Sequence, residues 1–207
     1  MIALQLDDLR QHSDKLRLRT GKSVMVRFVE PRDAAALQGY FRSLSVGSRY
    51  NRFLGAMREL PSTLLEHFMH VGEAEQFSAV ATMMFDGYET IVGEVRYAFH
   101  AETSSIEFGL SIDDRWQGHG IGKALLKNLE CRAASFGAER IFGDTLRSNE
   151  QMIALARTAG YAFTQSPDDW KLVRFEKQID LQPRDIPCAS WKLAAASRQL
   201  AIPPLAS

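Results

Sequence analysis

The 207-residue sequence predicts an α/β fold, a mixed and largely antiparallel sheet of about six or seven strands with helices on both faces. Three observations carry this. Residues 77–85, 90–99 and 104–112 are apolar, strand-like segments that follow one another at hairpin spacing. A glycine-rich turn then leads into a long amphipathic stretch at 120–136, where Ile121, Leu125, Leu129, Ala133 and Phe136 keep helical spacing. After it, the pattern alternates strand, helix and strand to residue 175.

In chain order, residues 1–15 are polar with a weak helical pattern. Residues 16–19 and 24–29 alternate apolar and basic side chains around Thr20-Gly21-Lys22, which reads as a hairpin. Glu30-Pro31-Arg32-Asp33 ends the second strand, and Asp33 is placed to cap a helix over 34–44. A second helix runs from Pro61-Ser62 to about His70, with Leu64, Leu65 and Phe68 on one face. The three hairpin-spaced strands follow, broken first by Asp86-Gly87. The amphipathic helix stops at Gly137, a C-terminal cap residue. A short strand at 140–145, a helix at 149–159 stopped by Gly160, and strands at 161–163 and 170–175 complete the pattern. Pro183, Pro187, Pro203 and Pro204 mark the remainder as a tail, with a short helical pattern at 192–200. The expected organisation is one domain over 1–176, with residues 1–23 as an N-terminal extension, and a tail over 177–207.

The composition narrows the classes of function. The chain is 45% hydrophobic and 24% charged, with 25 basic and 25 acidic residues, so no basic excess points to nucleic acid or an anionic membrane. Cys131 and Cys188 are far apart and outside any CxxC pair, which argues against a zinc site or a disulfide framework. The N-terminus lacks a basic start and an apolar core of the signal-peptide kind, and no apolar run approaches the length of a membrane span. The expectation is a cytoplasmic protein with no metal.

The chemistry lies in Gln117-Gly118-His119-Gly120-Ile121-Gly122, between a strand and a helix. The first N–H groups of a helix lack internal partners, and the helix dipole adds partial positive charge there. Glycines let a pyrophosphate come close to the backbone. The segment is therefore built to hold a phosphorylated cofactor. A Rossmann GxGxxG would need its third glycine at 123, which is Lys123, and the preceding strands are hairpin-linked rather than parallel. Gly21-Lys22-Ser23 mimics the end of a Walker A loop, but the first glycine of that motif would fall at Leu16.

Gln117-x-x-Gly120-x-Gly122 instead resembles the Q/R-x-x-G-x-G/A signature of GNAT acyltransferases. Around it, 115–122 is similar to the family's W-Q-G-x-G-(I/L)-G variant. Asn149-x-x-Met152-x-x-Leu155 leading to Ala159-Gly160-Tyr161 resembles the second cofactor motif. Leu18-Arg19-Thr20-Gly21, Val26-Arg27, Pro31-x-Asp33 and Ser48-Arg49-Tyr50-x-Arg52-Phe53 resemble the GNAT domain of bacterial protein-lysine acetyltransferases of the Pat kind. The resemblance covers roughly 24–176. It implies a GNAT fold with a splayed central cleft, and acetyl-CoA as co-substrate with an amine as acceptor.

It also implies roles. Gln117, Gly118, His119, Gly120, Ile121, Gly122 and Lys123 would meet the coenzyme A pyrophosphate through backbone N–H groups. Leu110 and Ile112 would lend backbone groups to the pantetheine arm, and one such N–H could hold the developing oxyanion. Glu107 is the candidate general base, because an amine of pKa near 10.4 must lose a proton before attack. Alternation places Glu107, Gly109 and Ser111 on one strand face, with Glu94 as the rival carboxylate. Asn149 would bond the pantetheine or a water, although Ser148-x-x-Gln151 also reads as a capping box with Ser148 as the cap. Arg49, Tyr50, Arg52 and Phe53 lie where the family shapes its acceptor pocket. The sequence departs from the family at Ala156, where many members carry a tyrosine as general acid. Tyr161 is expected to pack, and a thiol near pKa 8.5 leaves adequately without help.

Three functions fit these residues: a protein-lysine acetyltransferase, a small-molecule amine acetyltransferase, and a non-catalytic acyl-CoA-binding module. A homodimer stays open.

Overall fold

The computed structural model describes residues 13–71, 76–167 and 169–180. Eight strands form one sheet: β1 (Asp14–Arg17), β2 (Ser23–Phe28), β3 (Gln76–Phe85), β4 (Tyr88–His100), β5 (Ser105–Ile112), β6 (Arg140–Leu146), β7 (Ala162–Gln165) and β8 (Leu172–Gln178). Their order is β1-β2-β3-β4-β5-β6-β8-β7. Among the described residues the α-helices are α1 (Ala34–Ser43), α2 (Val46–Phe53), α3 (Ser62–Met69), α4 (Ile121–Ser135) and α5 (Glu150–Thr158). The sheet is wider than the expected six or seven strands because the N-terminal hairpin is part of it. β2 pairs with β3 from Met25↔Thr82 to Phe28↔Ala79, burying Val24, Val26 and Phe28.

Strand alternation sorts the helices into two layers. On β4, Gly93, Val95 and Tyr97 face α4: Leu125 lies beneath Gly93, and Phe136 packs edge-on against Tyr97. Glu94 and Arg96 face the other way, toward α1–α3, where Arg96 lies over the Phe68 ring. Each layer is closed by aromatic contacts. Phe41 packs against Tyr40, Phe53 and Phe68 on one side, and Phe77 against Tyr97 and Phe136 on the other.

Several local expectations are revised. Helix α2 was not foreseen as a helix. None of its residues is buried, so it carries no core-facing period, and its start is fixed locally by the Ser45 hydroxyl accepting from the Ser48 N–H. Asp33 does not cap α1 through its side chain. Its carboxylate accepts from the Glu30 N–H at 2.8 Å and from Arg27 at 2.7 and 2.9 Å. The cap of α5 is Asn149 rather than Ser148, with Asn149 Oδ1 accepting from the Met152 N–H at 3.2 Å. β8 continues to Gln178, two residues past the expected domain end. The weak helical pattern over 1–15 gives way to β1 from Asp14; residues 1–12, the helical pattern at 192–200 and the tail beyond 180 with Cys188 lie outside the described residues.

The feature that positions the site is a fork. β5 pairs with β4 along its whole length, from His100↔Ser105 to Gly93↔Ile112. Its parallel pairing with β6 is confined to Ser105↔Arg140, Ile106↔Ile141 and Glu107↔Phe142. Beyond that point β6 stays with β8 as far as Leu146↔Leu172. The two strands part at Gly143, where an added Cβ would lie 2.7 Å from the Phe108 carbonyl oxygen and 2.7 Å from Phe175 Cζ.

Two outcomes follow for stability. Gly143→Ala should destabilise the chain by about 1–3 kcal/mol in urea unfolding, because a backbone oxygen cannot step aside as a side chain can. Burial alone would raise the Asp33 carboxyl, but Arg27 and the Glu30 N–H outweigh it and hold it below its ordinary value. A depressed pKa contributes stability above the unfolded value, about 3.9, that is lost as pH falls through the folded value. Asp33→Asn should therefore cost roughly 1.5–3 kcal/mol at neutral pH. Unfolding curves of parent and variant should converge as the solution is acidified below about pH 4.

Candidate active site

The fork opens into a cleft of about 540 Å³. Its walls form three sides. β5 supplies Phe108 to Ile112, the turn before α4 supplies Trp116, Gln117, Gly118 and Gly120, and α4 supplies Gly122 and Lys123. Asp144 and Thr145 of β6, with Asn149, Met152 and Leu155, form the opposite side. The third side is the edge of α2: Ser48, Asn51 and Arg52.

The turn is shaped for an anion. Gly118 and Gly120 take left-handed conformations, φ 74° and 88°, which bring the chain into the helix without a Cβ on its outer side. Gly120 is the N-cap and offers no side-chain cap, so the first N–H groups of α4 point outward. Gly122 sits against Leu155, with its Cβ position 2.9 Å from Leu155 Cδ2, so α4 and α5 meet beside the turn.

Side-chain ties hold this turn to the strand and to α2. Gln117 Nε2 donates to the Ile112 carbonyl at 3.1 Å. Asp113 accepts from the Arg115 N–H and from its guanidinium, and that bonding holds its carboxyl below the ordinary range against burial. Asp114 accepts from the Ser45 N–H, the Ser45 hydroxyl and the Ser48 hydroxyl at 2.7–2.8 Å. Burial would raise Asp114, yet these donors lower it, so it is an anion that fastens the start of α2 to the entrance of the cleft.

Of the residues singled out in the sequence, Leu110, Ile112, Gln117, Gly118, Gly120, Gly122, Lys123 and Asn149 come together on the cleft wall. Ile121 points its side chain into the core. His119 is exposed, its Nδ1 2.8 Å from the Gln117 carbonyl oxygen and its ring against Trp116. Asn149 has both amide functions engaged, Oδ1 as the helix cap and Nδ2 donating to Thr145 Oγ1 at 2.9 Å. Ala156 is buried packing. Tyr161 is buried edge-on against Phe108 and Phe175, its phenol pushed well up by burial and then by Glu130.

The two carboxylates differ sharply. Glu107 is the last β5 residue paired with β6, at the closed end of the fork and just outside the cleft lining. Its side chain is 53% exposed, with one oxygen 3.5 Å from His100 Nε2. Glu94 is 0% exposed. It accepts from Arg52 Nε at 2.5 Å, from Arg52 Nη2 at 3.2 Å and from Ser111 Oγ at 2.8 Å. Sequence reasoning missed this arrangement, and also missed Ser48, Asn51, Asp144 and Thr145. Ser48 and Asn51 were signalled only by the Ser48-to-Phe53 motif, which says nothing of a helix beside the fork, and Asp144 and Thr145 only by the strand pattern at 140–145.

Comparison with known proteins agrees with this geometry. The acetyltransferase (GNAT) family model matches residues 55–161. An acetyltransferase of Pseudomonas aeruginosa is 28% identical over 152 residues, 73% of this chain and 82% of that protein. The GNAT domain of S. lividans PAT superposes with a TM-score of 0.73 at 26% identity, over 80% of this chain and 96% of that domain. Spermidine N-acetyltransferase from Vibrio cholerae, in a structure with CoA and spermine, shares the fold at 14% identity with a TM-score of 0.62, over 75% of this chain and 95% of that one. The chain belongs to the GNAT family and is an N-acetyltransferase.

Proposed function

We propose that the protein transfers an acetyl group from acetyl-CoA to a lysine side chain of a protein, by direct attack within a ternary complex. The observation that carries the choice of acceptor is the exposure of Glu107: its carboxylate stands on an open face of the sheet rather than at the bottom of a closed pocket. A protein surface can present a lysine there, whereas a metabolite would need walls. The likeness to the GNAT domain of S. lividans PAT supports the same reading.

Acetyl-CoA supplies the activated acyl group. In this reading Gly118 to Lys123 hold its pyrophosphate through the turn and the first N–H groups of α4. The β5 edge from Phe108 to Ile112, freed by the fork, meets the pantetheine arm, with backbone groups of Leu110 and Ile112 as its partners. One of these N–H groups holds the oxyanion. Glu107 accepts the amine proton. Glu94 is unsuited to that part because both its oxygens are committed to Arg52 and Ser111, and protonating it would leave the largely covered Arg52 guanidinium, 13% exposed, uncompensated. Glu107 can also return its proton to solvent, which a turnover requires.

Three measurements test this. Glu107→Gln should lower the rate of acetyl transfer about 10²- to 10⁴-fold with unacetylated whole-lysate protein as the acceptor, while calorimetry finds acetyl-CoA affinity unchanged; unaltered turnover would remove Glu107 from the mechanism. The same assay with a panel of polyamines and aminoglycosides should show no comparable rate, and efficient acetylation of one of them would favour the small-molecule reading. Gly120→Glu should weaken acetyl-CoA binding by more than about a hundredfold, since a non-glycine residue at φ 88° strains the turn and a carboxylate repels the pyrophosphate.

A further inference from the structure

We propose that Arg52 fixes the length of acyl chain that the enzyme accepts, acting as a rigid wall at the acyl end of the fork. The inference rests on the binding mode proposed above, in which the coenzyme enters from the α4 side and its acyl group reaches the face that carries Glu107.

The position of Arg52 is unusual in its tightness. α4 and α5 cover one face of the sheet, and Arg52 approaches from the other, over the β5 residues that β6 has left. A Cβ built on Gly109 would lie 2.9 Å from Arg52 Nη1 and 3.3 Å from Cζ. The guanidinium therefore sits close against the strand backbone, with no room for a methyl group between them. Gly109 is two residues past the last paired residue, Glu107, so the guanidinium occupies the space immediately beside the fork.

The wall is held from behind. Arg52 Nε and Nη2 both donate to Glu94, which is fully buried. Ser111 donates its single hydroxyl proton to Glu94 Oε1, so Tyr40 must be the donor in the 3.0 Å contact between Tyr40 and Ser111. Burial, reinforced by the Glu94 charge, keeps the Tyr40 phenol protonated for that role. Three side chains, from α1, β4 and β5, thus fix one guanidinium, and swinging it aside would break its ion pair with the buried Glu94. An acetyl group ends short of this wall. Each further methylene would have to press against a buried charged group that is neither apolar nor free to move.

The test uses binding, which does not depend on the acceptor. Affinities of CoA, acetyl-CoA and butyryl-CoA are measured by calorimetry for the unmodified protein, Arg52→Ala and the double variant Arg52→Ala/Glu94→Gln, the last removing both charges in case the single variant does not fold. The unmodified protein should bind butyryl-CoA about tenfold or more weaker than acetyl-CoA. In each variant this ratio should collapse to near unity whatever the affinity for CoA itself becomes, because both ligands share the CoA part and loss of a merely structural ion pair would weaken them alike. A ratio that stays the same in a folded variant that still binds CoA would overturn the wall. Failure of the unmodified protein to bind CoA at all would instead overturn the site reading beneath it.

Discussion

Everything at the site depends on β5 and β6 parting after three paired residues. A strand edge released from its neighbour leaves backbone N–H and C=O groups that must find other partners. Between Phe108 and Ile112 β4 still braces the other edge of β5. The glycine at 143 allows the two backbones to separate within contact of Phe108 and Phe175. A ligand that enters such a gap must itself carry amide groups to complete the ladder, and the pantetheine arm of the proposed co-substrate does.

The fork alone would be a wide slot. It becomes a site through α2, a short helix with no buried residue that is secured at both ends by charge. Asp114 grips its first turn through three donors, and Glu94 grips its last turn through Arg52. Asp114 belongs to the turn that leads to Gly118 and Gly120, and Glu94 pairs with Ser111 on the freed part of β5. The loop that would hold phosphate, the strand that would hold the arm and the helix that closes the acyl end are therefore one mechanical unit. Polar contacts, rather than apolar packing, set their spacing.

Much of this was legible in the sequence. The three central hairpin strands and α4 announce themselves by period, and the glycines at 118, 120 and 122 announce an anion site by their place between strand and helix. What period cannot show is which strand edges remain open. Residues 104–112 and 140–145 both read as strands, and nothing in either says that their pairing ends at Glu107. Helix α2 escaped for a related reason: a surface helix held by capping and ion pairs has no apolar stripe. Asn149 shows the limit of local rules, because Ser148 satisfies a capping-box pattern while Asn149, one residue on, is the cap in fact. The contrast between Glu94 and Glu107 is likewise tertiary. Both are glutamates within strands, and only the arrival of Arg52 from another element buries one and leaves the other in solvent.

The most direct measurement is amide hydrogen exchange with and without acetyl-CoA. The account predicts that added acetyl-CoA slows exchange chiefly in two segments, 108–112 and 118–124, with little change at the outer strands β1 and β7. Slowing elsewhere with those two segments unaffected would contradict it.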